Sequence, residues 1–217
     1  MTAAFFYGTL MHPKILKRVL HNDGSHLKIC AAILTGYTRH KIKMADYPAI
    51  LPYERSKTTL LGRELTAEER SVRGTLVAGL TARDVMYLDV FEGDEYVRSQ
   101  VTVHPLGPYT PIPTDAAATS EVVEDSLIPI ALPPLPSAGE LAQTVPAQTY
   151  VWCLENTCLE EELWSFDEFV RKNAWKWIDE GAEDNEDIRV VDKCGRARMK
   201  AGVTHSGDDG GRHGRPR

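Results

Sequence analysis

The alternation of apolar and polar positions along the chain predicts several short strands and three helices. Strands rich in β-branched and aromatic residues are expected over 3–10, 27–37, 71–79, 96–103 and 148–154. A polar strand or loop is expected over 39–45. The proline-bracketed stretch Tyr47–Pro52 is expected to be an ordered loop. Because strands and helices do not alternate strictly, the pattern favours an α+β domain with a small mixed sheet or barrel.

Three helices complete the expected order. Pro13 suits the first turn of a helix and is followed by apolar residues at helical spacing. A second helix is expected after Thr81, which forms a capping-box pattern with Asp84, and it ends at Gly93. Asn156 can cap a long amphipathic helix. The apolar stripe of that helix consists of Leu163, Phe166, Val170, Ala174 and Trp177.

Two segments differ in composition from the rest of the chain. Nine of the 13 prolines lie in residues 104–146, and we expect this segment to be a low-complexity insertion. It would interrupt a single domain formed by residues 1–103 and 147–190. Residues 193–217 contain seven Lys or Arg, two Asp or Glu and six Gly. We expect this basic tail to be disordered, because it has too few apolar side chains to offset the entropy of ordering.

The net charge of −6 is unevenly distributed, because the tail carries +5 and the remaining residues carry −11. A short basic tail can contact nucleic acid or an anionic membrane, but a solvated tail is the favoured interpretation. No aromatic or repeated basic motif accompanies the tail, so nucleic acid is not an expected partner. No apolar run approaches the ~20 residues that span a bilayer, and no signal-peptide pattern is visible. The sequence therefore predicts a soluble, cytoplasmic protein without a membrane partner, and it leaves the oligomeric state open.

The four cysteines are irregularly spaced and form no CxxC pair. They are Cys30, Cys153, Cys158 and Cys194. This spacing favours reduced thiols over a disulfide framework, and no metal site is expected.

The segment Tyr7-Gly8-Thr9-Leu10 joins an aromatic strand to the helix that begins at Pro13. A strand that turns sharply at glycine leaves backbone N–H groups unpaired and convergent. Such groups bind a carboxylate or an oxyanion. Taken alone, the four residues are more often an ordinary strand-to-helix turn.

Glu92 is the candidate carboxylate for chemistry. It stands at the end of its helix beside Gly93, where the negative helix pole and an apolar pocket would both raise its pKa. A raised pKa suits a general base that works near neutral pH. An isolated glutamate in this position can also be a solvated surface acid. Three neighbouring acids, any of which could pair with Arg98, are alternatives: Asp89, Asp94 and Glu95.

Together the two segments resemble the γ-glutamylcyclotransferase family, most closely its AIG2-like branch, which includes γ-glutamylamine cyclotransferases. The YG(S/T)L turn of the family is matched by residues 7–10, and its LDxFE(G)xxYxR-like segment by residues 88–98. Three further stretches resemble family elements: Tyr47-Pro48-Ala49-Ile50, Val72-Arg73-Gly74-Thr75-Leu76 and Tyr150-Val151-Trp152. The resemblance covers residues 4–103 and about 147–178.

The resemblance implies a small mixed β-barrel flanked by helices, with a substrate cavity at one mouth. It implies that Glu92 is the catalytic residue. It also implies a substrate-binding loop, which consists of Tyr7, Gly8, Thr9, Leu10, Met11 and His12. The implied reaction cyclises the γ-glutamyl group of a small molecule to 5-oxoproline, releases an amine or amino acid, and needs no cofactor or metal.

The same resemblance bears on the substrate. The glutathione-specific branch usually has a tryptophan soon after its YGSL turn, whereas this chain has His12-Pro13, which argues against glutathione as the preferred substrate. Two other functions fit the sequence. One is a non-catalytic protein that uses the glycine turn to bind small anions, and the other is a scaffold that acts through the proline-rich insertion and the basic tail.

Overall fold

The computed structural model describes residues 2–58, 62–112, 135–136, 140–141, 143–165 and 168. In this part of the chain the strands are β1 Thr2–Phe6, β2 Lys28–Thr35, β3 Tyr37–Ile42, β4 Pro48–Pro52, β5 Ser71–Leu80, β6 Tyr96–Pro105, β7 Thr110–Pro111, β8 Val145–Trp152 and β9 Leu159–Leu163. The helices are α1 Pro13–Leu20, α2 Tyr53–Ser56 and α3 Ala82–Glu92. None of the described helices is long and apolar enough to cross a membrane.

Five strands close into a barrel in the order β5-β1-β8-β6-β2, because β2 pairs back with β5. β1 runs parallel to β8, and the other neighbouring pairs in the barrel are antiparallel. Closure satisfies the backbone of strands that would otherwise be sheet edges. The expected α+β architecture with a small mixed barrel is confirmed.

A second sheet, in the order β4-β3-β9, lies beside the barrel. The prediction of a loop over Tyr47–Pro52 is wrong, because most of this stretch is strand β4, which pairs with β3. Its two prolines stand at the first and last positions of the strand. Their missing N–H groups disturb the ladder least at those ends.

The prediction of a long helix that begins at Asn156 is wrong for its first residues. Asn156–Cys158 is a single 3-10 turn, and β9 follows it and pairs with β3. Leu and Glu are good helix formers, but pairing with the open edge of β3 and burial of Leu159 outweigh that preference. The rest of the expected apolar stripe, from Phe166 onward, lies outside the described residues.

The barrel strands extend into both ends of the segment expected to be an insertion. β6 continues to Pro105, β7 pairs with β2, and β8 begins at Val145. Residues 113–134, which make up the middle of that segment, and the basic tail 193–217 lie outside the described residues.

Helix α3 begins with the expected capping box, which is confirmed. Asp84 accepts hydrogen bonds from the backbone N–H of Thr81 at 2.8 Å and from Asn22 Nδ2 at 2.8 Å. His26 Nε2 lies 3.0 Å from the same carboxylate. Burial alone would raise the pKa of Asp84, but the hydrogen bonds from Thr81 and His26 outweigh it and hold the pKa below its usual value. Asp84 therefore joins the start of α3 to the end of α1.

Replacing Asp84 with asparagine is expected to lower the free energy of unfolding at pH 7 by about 1–3 kcal/mol. Because the folded-state pKa of Asp84 is depressed, its contribution is present above the pKa of the unfolded chain and is lost as the pH falls. The difference between wild type and Asp84→Asn should therefore shrink between pH 7 and pH 3 in urea titrations. Asp94→Asn, which alters an exposed acid, is the control. An Asp84→Asn midpoint equal to wild type at pH 7 would contradict this role.

Candidate active site

The turn after β1 is built around Gly8. A 3-10 turn, Thr9–Met11, follows it, and its hydrogen bonds start with Met11 N–H donating to Gly8 O at 3.0 Å. Within this fully described turn, the N–H groups of Gly8, Thr9 and Leu10 therefore have no acceptor. A Cβ at position 8 would lie 2.8 Å from Cδ of Pro48. Glycine is required here because the turn after β1 lies so close to Pro48, the first residue of β4.

A cavity of ≈ 250 Å³ opens beside this turn. Three parts of the chain that are far apart in sequence supply most of its wall: the end of β1 with its turn, the start of β4, and the end of α3 with the residues that follow it. The lining residues are Phe5, Phe6, Tyr7, Gly8, Thr9, Leu10, Tyr47, Pro48, Val90, Phe91, Glu92, Gly93, Glu95, Tyr96 and Tyr150. The volume lies below the range of about 300–1,000 Å³ that holds drug-sized ligands, so it suits a small metabolite.

Glu92 is the last residue of α3 and lines the cavity. The residue as a whole is partly buried, but protein surrounds its carboxyl. This burial, reinforced by the negative charges of Glu95 and Asp89, raises the pKa of Glu92 to about 8. A carboxyl with this pKa exchanges protons near neutral pH, as a general base requires.

The three other acids of the segment have different surroundings. Glu95 lines the cavity and accepts a hydrogen bond from Tyr47 Oη at 3.3 Å. Asp89 pairs with Arg98 (Nε to Oδ1, 2.8 Å) and is part of the surface beside the cavity. Asp94 is exposed. Among the described residues, the carboxylates that line the cavity are thus Glu92 and Glu95.

Three buried tyrosines fix the inner wall. Tyr7 Oη donates to the carbonyl of Tyr150 at 2.6 Å, and Tyr96 Oη donates to the carbonyl of Pro48 at 2.9 Å. Tyr150 Oη donates to Asp89 Oδ1 at 2.8 Å. Burial, with the nearby acids, raises the pKa of all three phenols, so each keeps its proton. The hydroxyls therefore act as fixed hydrogen-bond donors that hold β1, β4 and β8 in place around the cavity.

Only the first four of the six expected binding-loop residues belong to the described cavity lining. Met11 packs in the apolar core. His12 is buried, and its Nδ1 accepts from the N–H of Lys14 at 3.3 Å, which caps α1. Among the described residues, no group of three or more His, Cys, Asp or Glu side chains is arranged to hold a metal ion.

Four residues that line the cavity were not expected in the binding site: Tyr47, Glu95, Tyr96 and Tyr150. Tyr96 and Tyr150 sit on neighbouring strands, where Tyr96 pairs with Trp152 and Arg98 pairs with Tyr150. Their aromatic character alone is equally typical of core packing. Only the pairing of β6 with β8 brings them to the cavity, so the family-like stretches that contain them did not show that they line it.

A sequence profile for the family described as "Gamma-glutamyl cyclotransferase, AIG2-like" matches residues 4–118, more than half of the chain. The chain belongs to this family. Among AIG2-like relatives, AIG2-like protein C of Arabidopsis thaliana is 31% identical over 99 residues, which cover 46% of this chain and 48% of that protein. AIG2-like protein D of the same plant is 30% identical over 103 residues, covering 48% and 57%. The chain thus spans about half the length of the curated relatives it matches.

Solved structures to which this chain is similar include an Arabidopsis thaliana protein studied in solution, with a TM-score of 0.45 and 21% identity. The match covers 82% of this chain and 85% of that one. A crystal structure of a yeast γ-glutamyl cyclotransferase specific to glutathione has a TM-score of 0.42 and 16% identity, covering 73% and 71%.

Proposed function

We propose that this AIG2-like chain is a γ-glutamylcyclotransferase, which converts the γ-glutamyl group of a small amide to 5-oxoproline and releases an amine. The observation that carries the proposal is the Glu92 carboxyl, whose pKa is raised to about 8 and which lines the same small cavity as the glycine turn. Family membership and the match of both sequence segments support it.

The proposed reaction is intramolecular. The α-amine of the glutamyl group attacks its own γ-carbonyl, a new C–N bond closes the five-membered lactam, and the original amide C–N bond breaks. At pH 7 the α-amine is mostly protonated and cannot attack. Glu92 accepts its proton and returns one to the departing amine, so the carboxyl ends the cycle as it began.

The glycine turn provides the complementary contact. The N–H groups of Gly8, Thr9 and Leu10 have no acceptor within their turn and can bind either the α-carboxylate of the substrate or the developing oxyanion. The buried wall of the cavity would hold the flexible glutamyl chain folded. Oriented intramolecular reactions reach effective molarities of about 10⁵ M or more, so this folding accounts for much of the expected rate.

The proposal is tested by measuring 5-oxoproline release from a panel of γ-glutamyl dipeptides, glutathione and γ-glutamyl-ε-lysine. We expect turnover of one or more γ-glutamyl amides, with glutathione a poor substrate. Thermal stabilisation by these compounds without any 5-oxoproline would contradict the proposal and favour a protein that only binds small anions.

The pH dependence of the reaction should reveal the effect of Glu95 on Glu92. With a pKa of about 8, Glu92 is roughly one-tenth ionised at pH 7, so kcat/KM should rise with pH up to that value. Glu95→Gln removes the charge that has the larger effect of the two on the pKa of Glu92. The rising limb should therefore move to lower pH when the substrate is a γ-glutamyl amide with an uncharged alkyl leaving group. The exposed variant Asp94→Asn is the control. Superimposable profiles for wild type and Glu95→Gln would refute this coupling.

A further inference from the structure

The cavity has a buried interior and a more accessible mouth. Tyr7, Leu10, Tyr96 and Tyr150 are buried. Gly93 is exposed, and six other lining residues are only partly buried: Gly8, Tyr47, Val90, Phe91, Glu92 and Glu95. The carboxyl of Glu92 is itself surrounded by protein. A γ-glutamyl group whose α-amine reaches Glu92 occupies the interior. Its leaving group then extends past the accessible residues of the mouth.

The described cavity lining carries negative charge without a compensating cation. It contains two glutamates, and because Glu92 is mostly protonated at pH 7 the charge is chiefly that of Glu95. None of the described lining residues is Lys, Arg or His. Its polar positions are otherwise tyrosine hydroxyls, a threonine and backbone groups. A second carboxylate on the leaving group would therefore meet repulsion at the mouth, whereas a cation would meet attraction.

Glu95 and Tyr47 form the polar part of this mouth. Tyr47 Oη donates to Glu95 Oε2 at 3.3 Å, which helps to fix the position of the carboxylate. A carboxylate held in place at the edge of a cavity is a suitable acceptor for the charge-assisted hydrogen bonds of an alkylammonium group. We propose that Glu95 is a specificity-determining residue, which favours γ-glutamyl amides whose leaving group carries a distal protonated amine over those that carry a carboxylate. The inference rests on the proposed function and adds the chemistry of the substrate's far end.

A cation at Glu95 also assists the reaction. Of the two charges that raise the pKa of Glu92, that of Glu95 has the larger effect. An ammonium group bound beside Glu95 offsets that charge, so a larger fraction of Glu92 is ionised at neutral pH. The preferred leaving group would thus improve kcat as well as KM.

The test uses three γ-glutamyl amides of matched length that differ only at the far end. They are the amides of 1,4-diaminobutane, pentylamine and 5-aminopentanoate, which end in an ammonium, a methyl and a carboxylate group. We expect kcat/KM to fall in that order, with the ammonium substrate favoured over the carboxylate substrate by about 10-fold or more at pH 7. Equal rates, or preference for the carboxylate substrate, would overturn the inference.

Two variants locate the effect. Glu95→Gln should reduce the ammonium-to-carboxylate ratio to within about 3-fold, because it removes the charge and keeps the size of the side chain. Asp94→Asn, one residue away but exposed, should keep the wild-type ratio. If Glu95→Gln kept the wild-type ratio of kcat/KM for the ammonium and carboxylate substrates, Glu95 would not be the residue that determines the preference.

Calorimetric binding of the same three compounds separates this inference from the proposed function. If none of them yields 5-oxoproline but wild type binds the ammonium compound most tightly and Glu95→Gln does not, the proposed function fails and the charge preference stands. If all three are converted at similar rates, the proposed function stands and the role of Glu95 fails.

Discussion

Glu92→Gln should lower kcat for 5-oxoproline release by about 10²–10⁴-fold, the usual contribution of a positioned general base. Glutamine keeps the shape of the side chain but cannot accept the proton of the attacking amine. Glu92→Asp, which keeps a carboxylate on a shorter side chain, should retain part of the activity. Full activity in Glu92→Gln would contradict the role of this residue.

The same variant should be more stable than wild type at alkaline pH. The pKa of Glu92 is raised from its model-compound value of 4.5 to about 8 in the folded protein. Between these values the unfolded chain has released the proton and the folded protein retains it, so the free energy of unfolding falls as the pH rises. A glutamine at position 92 does not ionise, so its contribution to the free energy of unfolding does not fall as the pH rises. Urea titrations should show Glu92→Gln gaining on wild type from pH 5 to pH 8, by on the order of 1–3 kcal/mol.

This stability measurement also shows whether the activity loss reflects misfolding. If Glu92→Gln were inactive and also less stable than wild type at pH 8, misfolding would explain the loss of activity. That result would contradict the description of Glu92 as a buried acid whose ionisation lowers the free energy of unfolding. Asp94→Asn provides the baseline for removing an exposed acid from the same segment.

Gly74→Ala should have the largest effect on stability, about 3 kcal/mol or more. Gly74 lies in β5 against the strand that leads into the glycine turn. A Cβ at this position would lie 2.6 Å from Cζ of Phe5 and closer still to the carbonyl oxygen of Phe6. A side chain can move away, but a backbone carbonyl within the β1–β5 ladder can move only if the barrel opens.

Chemical denaturation measures this effect, and Gly107→Ala is the matched control. Gly107 is exposed, and no described atom lies within 4 Å of the position its Cβ would take. That variant should differ from wild type by less than about 0.5 kcal/mol. Similar denaturation midpoints for Gly74→Ala and Gly107→Ala would show that β1 and β5 are less closely packed than described.

Elements with a strong local signal were predictable from the sequence. Strand β5 shows β-prone composition over nearly its whole length, and α3 is bounded by the Thr81–Asp84 capping box and by Gly93. Gly93 has φ = 61°, a conformation that favours glycine. In such segments the local preferences and the tertiary structure agree, so the sequence alone locates the element.

The second sheet was less predictable, because pairing between distant segments decides its structure. β9 has the Leu and Glu content of a helix but completes the edge of β3, more than 100 residues earlier in the chain. β4 contains two prolines, which favour a loop until the partner strand is known. Neither outcome can be inferred from a window of a few residues.

Some residues of the candidate site were also predictable from local sequence patterns, and others were not. The glycine turn and the acid segment each carry a local pattern, so the sequence indicates them and the resemblance gives them roles. The resemblance could not distinguish the residues of the expected binding loop that line the cavity from the two that do not. Met11 packs in the apolar core, and His12 caps α1. Glu95 stood only as a rival of Glu92, since its place at the cavity mouth depends on the turn that follows α3.

The most direct test of the central claim is the reaction of a γ-glutamyl amide in H₂¹⁸O, with the products identified by mass spectrometry. Intramolecular attack by the α-amine predicts 5-oxoproline and free amine in equal amounts, with no ¹⁸O in the 5-oxoproline. Glutamate carrying ¹⁸O would show that water attacks the γ-carbonyl and would contradict a cyclotransferase.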